Sequence, residues 1–384
     1  MIYLDNAATS WPKPESVYET LGGFLQCAGA NPGRASHRMA ANAAAAIADC
    51  RLRLSRMFNA PAPERMVFTG SATDGLNLAI LGLGQPGKRI LTTTMEHNSV
   101  ARPLSYVRQR GAEVVKIGVD SYGAVDLDAL RKAAPGTDLI AITHASNVNG
   151  AVQPIEECGR IAREAGALLL VDASQTAGAI PIDVQAAQID LMAFPGHKGL
   201  LGPPGTGALY IGPRVRIKDL EPIRSGGTGF RSEDDHQPEE MPYRYESGTG
   251  NTVGIAALGA GLEYVEERGV SDIRDHERLL MHSLIEGLSG IPGVSVYGAW
   301  DQDQQAAVVS FTADGWEPSD LGAVLDQSFD IACRTGLHCA PDACRSLGVY
   351  PSGTVRFSPG PFTTEEEIDV ALSAVGEVLA TALV

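Results

Sequence analysis

A lysine and an aspartate each follow an apolar run in this chain. Lys198 lies in AFPGHKGLLGPPGTGALY, residues 193–210, where glycine and proline surround it and a short apolar run precedes it. Asp172 ends an earlier apolar run, ALLLV, at residues 167–171. An amine and an acid at two strand ends are what pyridoxal phosphate (PLP) requires, because the amine binds its aldehyde and the acid keeps its ring nitrogen protonated. The pair therefore predicts a PLP site, although a lysine in a glycine-rich turn is more often a solvated loop residue.

A series of short motifs extends over nearly the whole chain. They are YLDNAAT (3–9), SATDGLN (71–77), MEHN (95–98), HASNVNG (144–150), VDASQ (171–175), GHK (196–198), ESGTGN (246–251) and RTGLHCAP (334–341). In content and order this series resembles the cysteine desulfurases, which are fold-type I PLP enzymes of the class V aminotransferase superfamily. The resemblance implies an α/β fold with a large domain built on a mostly parallel seven-stranded sheet and a smaller α+β C-terminal domain.

Length and charge limit the classes to which the chain can belong. With 384 residues, 44% hydrophobic content and 43 glycines it can form a large core, in two domains. A net charge of −16 disfavours nucleic-acid and anionic-membrane partners. The six cysteines show no paired or regular spacing, so we expect no metal site, no disulfide framework and a reducing compartment. Without a signal-peptide pattern or the ~20 apolar residues that span a bilayer, we expect a cytoplasmic protein.

Short β-like runs alternate with helical patterns, which predicts a parallel sheet with crossover helices. The predicted strands are 65–69, 89–93, 113–117, 139–143, 168–171, 191–194 and 208–211, and the predicted helices are 36–58, 73–83, 99–110, 155–165 and 253–267. Further along we predict helices at 272–289, 319–327 and 365–383 and strands at 306–311 and 354–358, with a Thr364–Glu367 capping box before the last helix. We expect a large domain over 14–252, a small one over 253–384, and the segment 1–13 between them. Residues 230–245 are charged and contain proline, which is typical of a mobile loop.

The motif beginning at Ser71 follows a predicted strand and opens a predicted helix. Backbone N–H groups of Ser71, Ala72 and Thr73 and the helix dipole can hold a phosphate there, and the Thr73 hydroxyl adds a contact. An ordinary helix N-cap explains the same pattern about equally well. The resemblance to the desulfurases favours the phosphate.

The resemblance implies four further contacts to the cofactor. His97 corresponds to the histidine that stacks on the PLP ring, although a buried hydrogen-bonded histidine is the alternative. Gln175 corresponds to the side chain that binds the phenolic oxygen, and Asn147 to a residue near the substrate carboxylate and the same ring edge. His197 corresponds to a phosphate ligand beside Lys198.

One position departs from the desulfurase pattern. Two residues before His197, most desulfurases have a hydroxyl residue that binds the phosphate, whereas this chain has Pro195, which supplies no donor. Thr249 corresponds to a residue that reaches the phosphate from the neighbouring subunit. Residues 225–227 could line the same boundary between the two subunits. The resemblance therefore implies an obligate homodimer with shared active sites.

The motif around Cys339 is a short loop that could present a thiol. The resemblance implies that Cys339 attacks the substrate sulfur as a thiolate, with Arg334 and His338 as candidate neighbouring cations. Free cysteines are more often small buried hydrophobes, and we expect this of Cys27, Cys50, Cys158, Cys333 and Cys344. The short loop is similar to that of group II (SufS-like) desulfurases, which often depend on an accessory sulfur-acceptor protein.

Arg356 corresponds to the arginine that binds the carboxylate of the amino-acid substrate, with a surface salt bridge as the alternative. Taken together, the sequence predicts a PLP-dependent cysteine desulfurase that converts L-cysteine to L-alanine and a Cys339 persulfide. In that reaction Lys198 also moves the α-proton. The alternatives are another class V enzyme, namely a selenocysteine lyase, a C–S lyase or an aminotransferase, and a catalytically silent protein of the same fold.

Overall fold

The structure is a computed structural model that describes residues 1–32, 37–298 and 301–381. Its helices are α1 (Glu15–Ala28), α2 (Arg38–Met57), α3 (Ala72–Leu83), α4 (Asn98–Gln109), α5 (Leu127–Ala133), α6 (Ile155–Glu164), α7 (Thr252–Arg268), α8 (Val270–Ser289), α9 (Pro318–Phe329), α10 (Pro341–Ser346) and α11 (Glu365–Thr381). Its strands are β1 (Ile2–Tyr3), β2 (Met66–Thr69), β3 (Arg89–Thr93), β4 (Glu113–Ile117), β5 (Leu139–Thr143), β6 (Leu168–Asp172), β7 (Leu191–Pro195), β8 (Gly207–Ile211), β9 (Val294–Tyr297), β10 (Val309–Ala313), β11 (Ile331–Ala332), β12 (Arg334–Gly336) and β13 (Thr354–Phe357). The helix predicted over 36–58 is observed as α2, and its predicted start at 36 lies outside the described residues. The predicted end of the last helix, at 383, also lies outside them.

A seven-stranded sheet in the order β2-β8-β7-β6-β5-β3-β4 forms the centre of the large domain. Strand β8 runs antiparallel to both of its neighbours, and the other pairs are parallel. Every residue of β5, β7 and β8 is buried, as expected where helices cover both faces of a parallel sheet. The predicted mostly parallel sheet is confirmed.

The small domain contains a four-stranded antiparallel sheet in the order β12-β13-β10-β9. Helices α8, α9 and α11 pack their apolar residues against it, with Phe311 and Phe357 in contact at the centre. The predicted strand 306–311 is observed as β10, which begins and ends later. Among the described helices, none is both long and apolar enough to cross a bilayer.

The N-terminal segment contacts both domains. Strand β1 pairs with β11, and Leu4 is buried in the small-domain core. A few residues later, Ser10 donates to the carbonyl oxygen of Lys198 in the large domain. Helix α7 packs Leu258 and Leu262 into the large-domain core. We therefore propose a domain boundary after α7, beyond the position expected from the sequence.

Candidate active site

The predicted site residues gather where the central parallel strands end. Asp172 is the last residue of β6, and the pairing register places it between Thr143 of β5 and Ala193 of β7. Lys198 lies three residues after the end of β7. The carboxyl ends of parallel strands are where α/β folds form binding sites, because the loops there diverge around a crevice.

The side chain of Lys198 is half-buried as a whole, and its amine shares the site with several charges. Burial, together with the charge of Arg356, lowers the pKa of Lys198 to about 8. The carboxylate of Asp172 acts in the opposite direction. A lysine with a pKa near neutrality can exchange protons with a substrate at physiological pH.

This shifted pKa predicts selective chemical labelling. In the PLP-free protein at pH 8, about half of the Lys198 amines are uncharged, against roughly one in a few hundred for a lysine with a pKa near 10.4. We expect an acylating reagent at limiting concentration to modify Lys198 before the surface residue Lys88, as measured by mass spectrometry of peptides. The preference should fade as the pH rises further, because Lys198 is then already uncharged and gains nothing more. Equal labelling of the two lysines at pH 8 would contradict the assignment.

The acid that the sequence pairs with Lys198 is free to bind a ring nitrogen. Asp172 is buried, and its Oδ1 accepts hydrogen bonds from the backbone N–H of Ser174 at 3.0 Å and from its hydroxyl at 2.5 Å. Oδ2 receives no hydrogen bond from any described residue. Nearby, the amide of Gln175 donates to the carbonyl of Ala7 at 3.2 Å.

The start of α3 is compatible with both interpretations of its motif, a helix N-cap and a phosphate site. The hydroxyl of Ser71 caps the helix by accepting from the N–H of Asp74 at 3.2 Å. The backbone N–H groups of Ala72 and Thr73 have no acceptor among the described residues, as is usual in a first helical turn. The Thr73 hydroxyl lies 2.8 Å from that of Ser99. The helix is therefore capped and still presents donors to an anion.

His97 is an uncharged ring held at the start of α4. Its Nδ1 accepts from the backbone N–H of Ser99 at 3.0 Å, which leaves the ring proton on Nε2. Burial lowers the pKa of His97 to about 4, and the charge of Asp172 only partly offsets this effect. The charges of Lys198 and Asp172 both act on the ring, so it belongs to the same cluster.

Glu96 is a buried carboxyl of this site that the sequence analysis missed. Its Oε1 accepts from the Thr93 hydroxyl at 2.7 Å and from the Thr143 N–H at 3.2 Å. Burial raises the pKa of Glu96 to about 8. The side chain thereby joins the ends of β3 and β5 directly beside His97. In the sequence, its one signal is that an acid follows the apolar Met95 inside the motif MEHN. The structure shows that Met95 is buried.

Arg356 is fully buried, which contradicts the alternative that it forms a surface salt bridge. One terminal nitrogen donates to the carbonyl of Asn147 at 2.9 Å and the other to Oδ1 of Asp5 at 2.6 Å. Its Nε has no partner among the described residues. A buried guanidinium with an unused donor can bind a further carboxylate.

The thiol of Cys339 is exposed and lies 3.2 Å from the guanidinium of Arg334. His338 and Cys339 have φ angles of 49° and 60°, a left-handed conformation that side chains other than glycine seldom adopt. Two hydrogen bonds hold this turn: Asn147 donates to the His338 carbonyl at 2.6 Å, and the N–H of Asn98 donates to the Cys339 carbonyl at 2.8 Å. The loop therefore presents the thiol in a fixed position.

The prediction that His338 can act as a cation beside Cys339 is wrong. The ring is buried, its Nε2 lies 2.8 Å from the Thr354 hydroxyl, and burial lowers the pKa of His338 to about 3. Arg334 is thus the cation that contacts the sulfur. Of the other cysteines, Cys50, Cys158 and Cys344 are buried as predicted, Cys333 is half-buried, and Cys27 is exposed, contrary to the prediction.

Thr249 lies on the surface of the chain. Its hydroxyl accepts a hydrogen bond from Asn31 at 3.3 Å and lines a cavity of about 590 Å³. Glu246, at the start of the same motif, forms a bidentate pair with Arg51 at 2.7 and 2.9 Å, which ties the motif to the large domain. Pro195, the last residue of β7, is buried.

Comparison with known proteins gives a consistent result. The family model "Aminotransferase class-V" matches residues 2–371. A probable cysteine desulfurase of Methanothermobacter thermautotrophicus is 35% identical over 382 residues, covering 98% of this chain and 94% of the relative. The cysteine desulfurase of Salmonella agona is 34% identical over 378 residues, covering 96% and 91%.

Solved structures agree with these sequence relatives. The apo cysteine desulfurase from Thermococcus onnurineus superposes with a TM-score of 0.93 at 35% identity, covering 99% of this chain and 95% of that one. The cysteine desulfurase CsdA from Escherichia coli superposes with a TM-score of 0.88 at 30% identity, covering 99% and 94%.

Proposed function

Because the chain belongs to the class V aminotransferase family, and within it to the cysteine desulfurases, we propose that it uses PLP on Lys198 to convert L-cysteine to L-alanine and transfers the sulfur to Cys339 as a persulfide. One observation carries the proposal. The exposed Cys339 thiol and the buried Arg356 belong to one electrostatic cluster with Lys198. The charge of Arg356 lowers the pKa of Lys198, and the charge of Cys339 raises the pKa of Arg356. An amine, a carboxylate binder and a nucleophile are thereby brought together.

The donors and acceptors of the site fit PLP. Asp172, with Oδ2 unused, would hold the protonated ring nitrogen. The open N–H groups of Ala72 and Thr73 would hold the phosphate together with His197, and the uncharged ring of His97 would lie against the pyridine. When bound, PLP withdraws electrons from the bonds at the α-carbon of an amino acid.

Arg356 and Asn147 would bind the substrate carboxylate. The guanidinium has an unused Nε donor, and its position is fixed by Asp5 and by the Asn147 carbonyl. A bidentate arginine–carboxylate pair fixes orientation as well as position. The amino group of the substrate is thereby directed towards the end of β7, where Lys198 lies.

Lys198 would move the α-proton of the substrate. Its pKa of about 8 allows the same amine to accept the proton from Cα and to return a proton later, because both forms are populated near neutral pH. No other described lysine lies in the cluster of Asp172, His97 and Arg356.

Cys339 would then take the sulfur. Its thiolate attacks the substrate sulfur, so that an S–S bond forms as the C–S bond breaks and the β-carbon, after protonation, becomes the methyl group of alanine. The Arg334 guanidinium, 3.2 Å from Sγ, attracts the thiolate electrostatically. The persulfide remains on an exposed loop, where a sulfur-acceptor protein could remove it. The short loop supports assignment to group II.

A direct test is the product ratio. We expect purified protein with L-cysteine and a thiol reductant to release alanine and sulfide in equal amounts. Pyruvate and ammonia in place of alanine would identify a C–S lyase, and would overturn the proposal.

We further propose a homodimer in which Thr249 completes the phosphate site of the partner. The exposure of Thr249 within one chain supports this. Thr249→Ala should weaken PLP binding by roughly 1.5–3 kcal/mol, the value of a hydrogen bond to a charged group, while leaving the dimer intact. The matched variant Thr249→Ser keeps the hydroxyl and should bind PLP like the original chain. A monomer with full PLP occupancy in sedimentation measurements would contradict the shared site.

A further inference from the structure

The carbonyl oxygen of His197 is surrounded by donors from the N-terminal segment. Lys13 Nζ donates to it at 2.8 Å and the backbone N–H of Ser10 at 3.1 Å. The hydroxyls of Thr9 and Ser10 each lie 3.2 Å from the same oxygen, and the Thr9 hydroxyl also lies 3.0 Å from Nδ1 of the His197 ring. Lys13 is half-buried, and burial lowers its pKa to about 8. A partly desolvated ammonium beside the Schiff-base lysine is unusual enough to require a role.

The number of protons available to the His197 carbonyl indicates how Lys13 affects the His197 ring. A carbonyl oxygen has two lone pairs, and the shorter contacts, from Lys13 and from the Ser10 N–H, fill both. The Ser10 hydroxyl accepts from Lys13 at 2.7 Å, and its single proton goes to the Lys198 carbonyl at 2.8 Å, the shorter of its two carbonyl contacts. The Thr9 hydroxyl also has one proton, and with both carbonyl lone pairs taken by shorter contacts this proton is better placed on Nδ1 of His197, at 3.0 Å, than on the carbonyl, at 3.2 Å. The ring then carries its own proton on Nε2.

The charge state of His197 supports this arrangement. Burial, together with the charges of Lys198 and Lys13, lowers the pKa of His197 to about 4, so the ring is neutral. A neutral imidazole has a single N–H to donate. No described residue accepts a hydrogen bond from Nε2, so this N–H is available to a ligand.

We propose that Lys13 is a positioning residue: by filling the His197 carbonyl it directs the Thr9 proton to Nδ1 and thereby fixes the Nε2–H tautomer with which His197 donates to the cofactor phosphate. The proposal rests on the PLP site of the proposed function. Without Lys13, the Thr9 hydroxyl can turn to the vacant carbonyl lone pair and accept from Nδ1–H instead. Nε2 would then face the phosphate with a lone pair and repel it.

The test compares Lys13→Met, which keeps the length of the side chain, with Lys13→Arg, which keeps the charged donor. In PLP-free full-length protein labelled with ¹⁵N-histidine, the ring nitrogen shifts report the tautomer, and the loss of signals in His197→Gln identifies the residue. We expect Nε2–H in the original chain and in Lys13→Arg, and a mixture or Nδ1–H in Lys13→Met. PLP affinity, titrated by absorbance, should fall about tenfold in Lys13→Met and recover in Lys13→Arg.

Two controls make the outcome specific. Lys88→Met removes a surface lysine that is paired with Asp138, and it should change neither the tautomer nor the PLP affinity. Thr9→Val should lose the tautomer preference as Lys13→Met does, whereas Thr9→Ser should keep it; circular dichroism melting checks that each variant folds. An unchanged Nε2–H tautomer in Lys13→Met overturns the proposal, even if PLP affinity falls. If the original chain binds no PLP, the proposed function fails, while the tautomer comparison still decides the role of Lys13.

Discussion

Replacing Lys198 by alanine is expected to abolish turnover of L-cysteine while leaving weak, non-covalent PLP binding. The loss of acid–base catalysis alone should lower the rate by about 10²–10⁴, and loss of the covalent attachment should lower it further. In the original chain, borohydride should fix PLP on Lys198, because reduction converts a carbon–nitrogen double bond into a stable amine. Peptide mapping by mass spectrometry measures the label.

Lys88→Ala is the matched control for this experiment, since Lys88 lies at the opposite end of β3 from the site. It should keep both the borohydride label on Lys198 and full turnover. A label on Lys13, Lys88 or another lysine would refute the assignment of Lys198.

The second large effect is expected from Cys339→Ala. Attack on the substrate sulfur needs a thiolate, whereas removal of the α-proton needs Lys198. The variant should therefore still exchange the α-proton of L-cysteine with deuterated water, followed by NMR, but form no persulfide and little alanine. Selenocysteine should be partly spared, because selenium departs more readily than sulfur.

Other thiols provide the controls for Cys339. Cys27→Ala removes a second exposed thiol, and Cys333→Ala removes a half-buried one between β11 and β12. Both should desulfurate L-cysteine at the original rate. If Cys339→Ala released sulfur from L-cysteine at that rate as well, the enzyme would be a lyase of another kind and Cys339 only a residue that fills the loop.

Elements with a strong local signal were predictable from the sequence. The bounds of β3, β4 and β5 agree with the prediction, because each is a short hydrophobic run between polar residues. The capping box of α11 is also confirmed, with the Thr364 N–H on Glu367 at 3.0 Å and the Glu367 N–H on Thr364 at 3.2 Å. The residues that determine such elements lie close together in the chain, so the sequence alone is enough to predict the elements.

Elements and contacts that depend on distant residues were not predictable. Helix α1 was missed because Gly22 and Gly23 lower its intrinsic helix propensity, and packing of the helix must compensate. The contact of Lys13 with the His197 carbonyl joins residues 184 positions apart. Likewise, His338 looks like a cation in its motif, and only its burial against Thr354 shows that it is neutral.

The candidate site divides along the same line. The residue types at Lys198, Asp172 and Cys339 already indicate their chemistry. The hydrogen bonds and ion pairs that fix the positions of these residues cannot be predicted in the same way, because their partners are brought together only by the fold. Examples are the Asn147 amide on the His338 carbonyl and the Asp5 carboxylate on Arg356.

Direct transfer of sulfur from the substrate to Cys339 can be followed in a single-turnover experiment. PLP-loaded protein is mixed with one equivalent of ³⁴S-labelled L-cysteine without reductant, alkylated, and mapped by mass spectrometry while alanine is quantified. We expect one labelled persulfide, on Cys339, for each alanine formed. Alanine or pyruvate formed together with free labelled sulfide, and an unmodified Cys339, would contradict it.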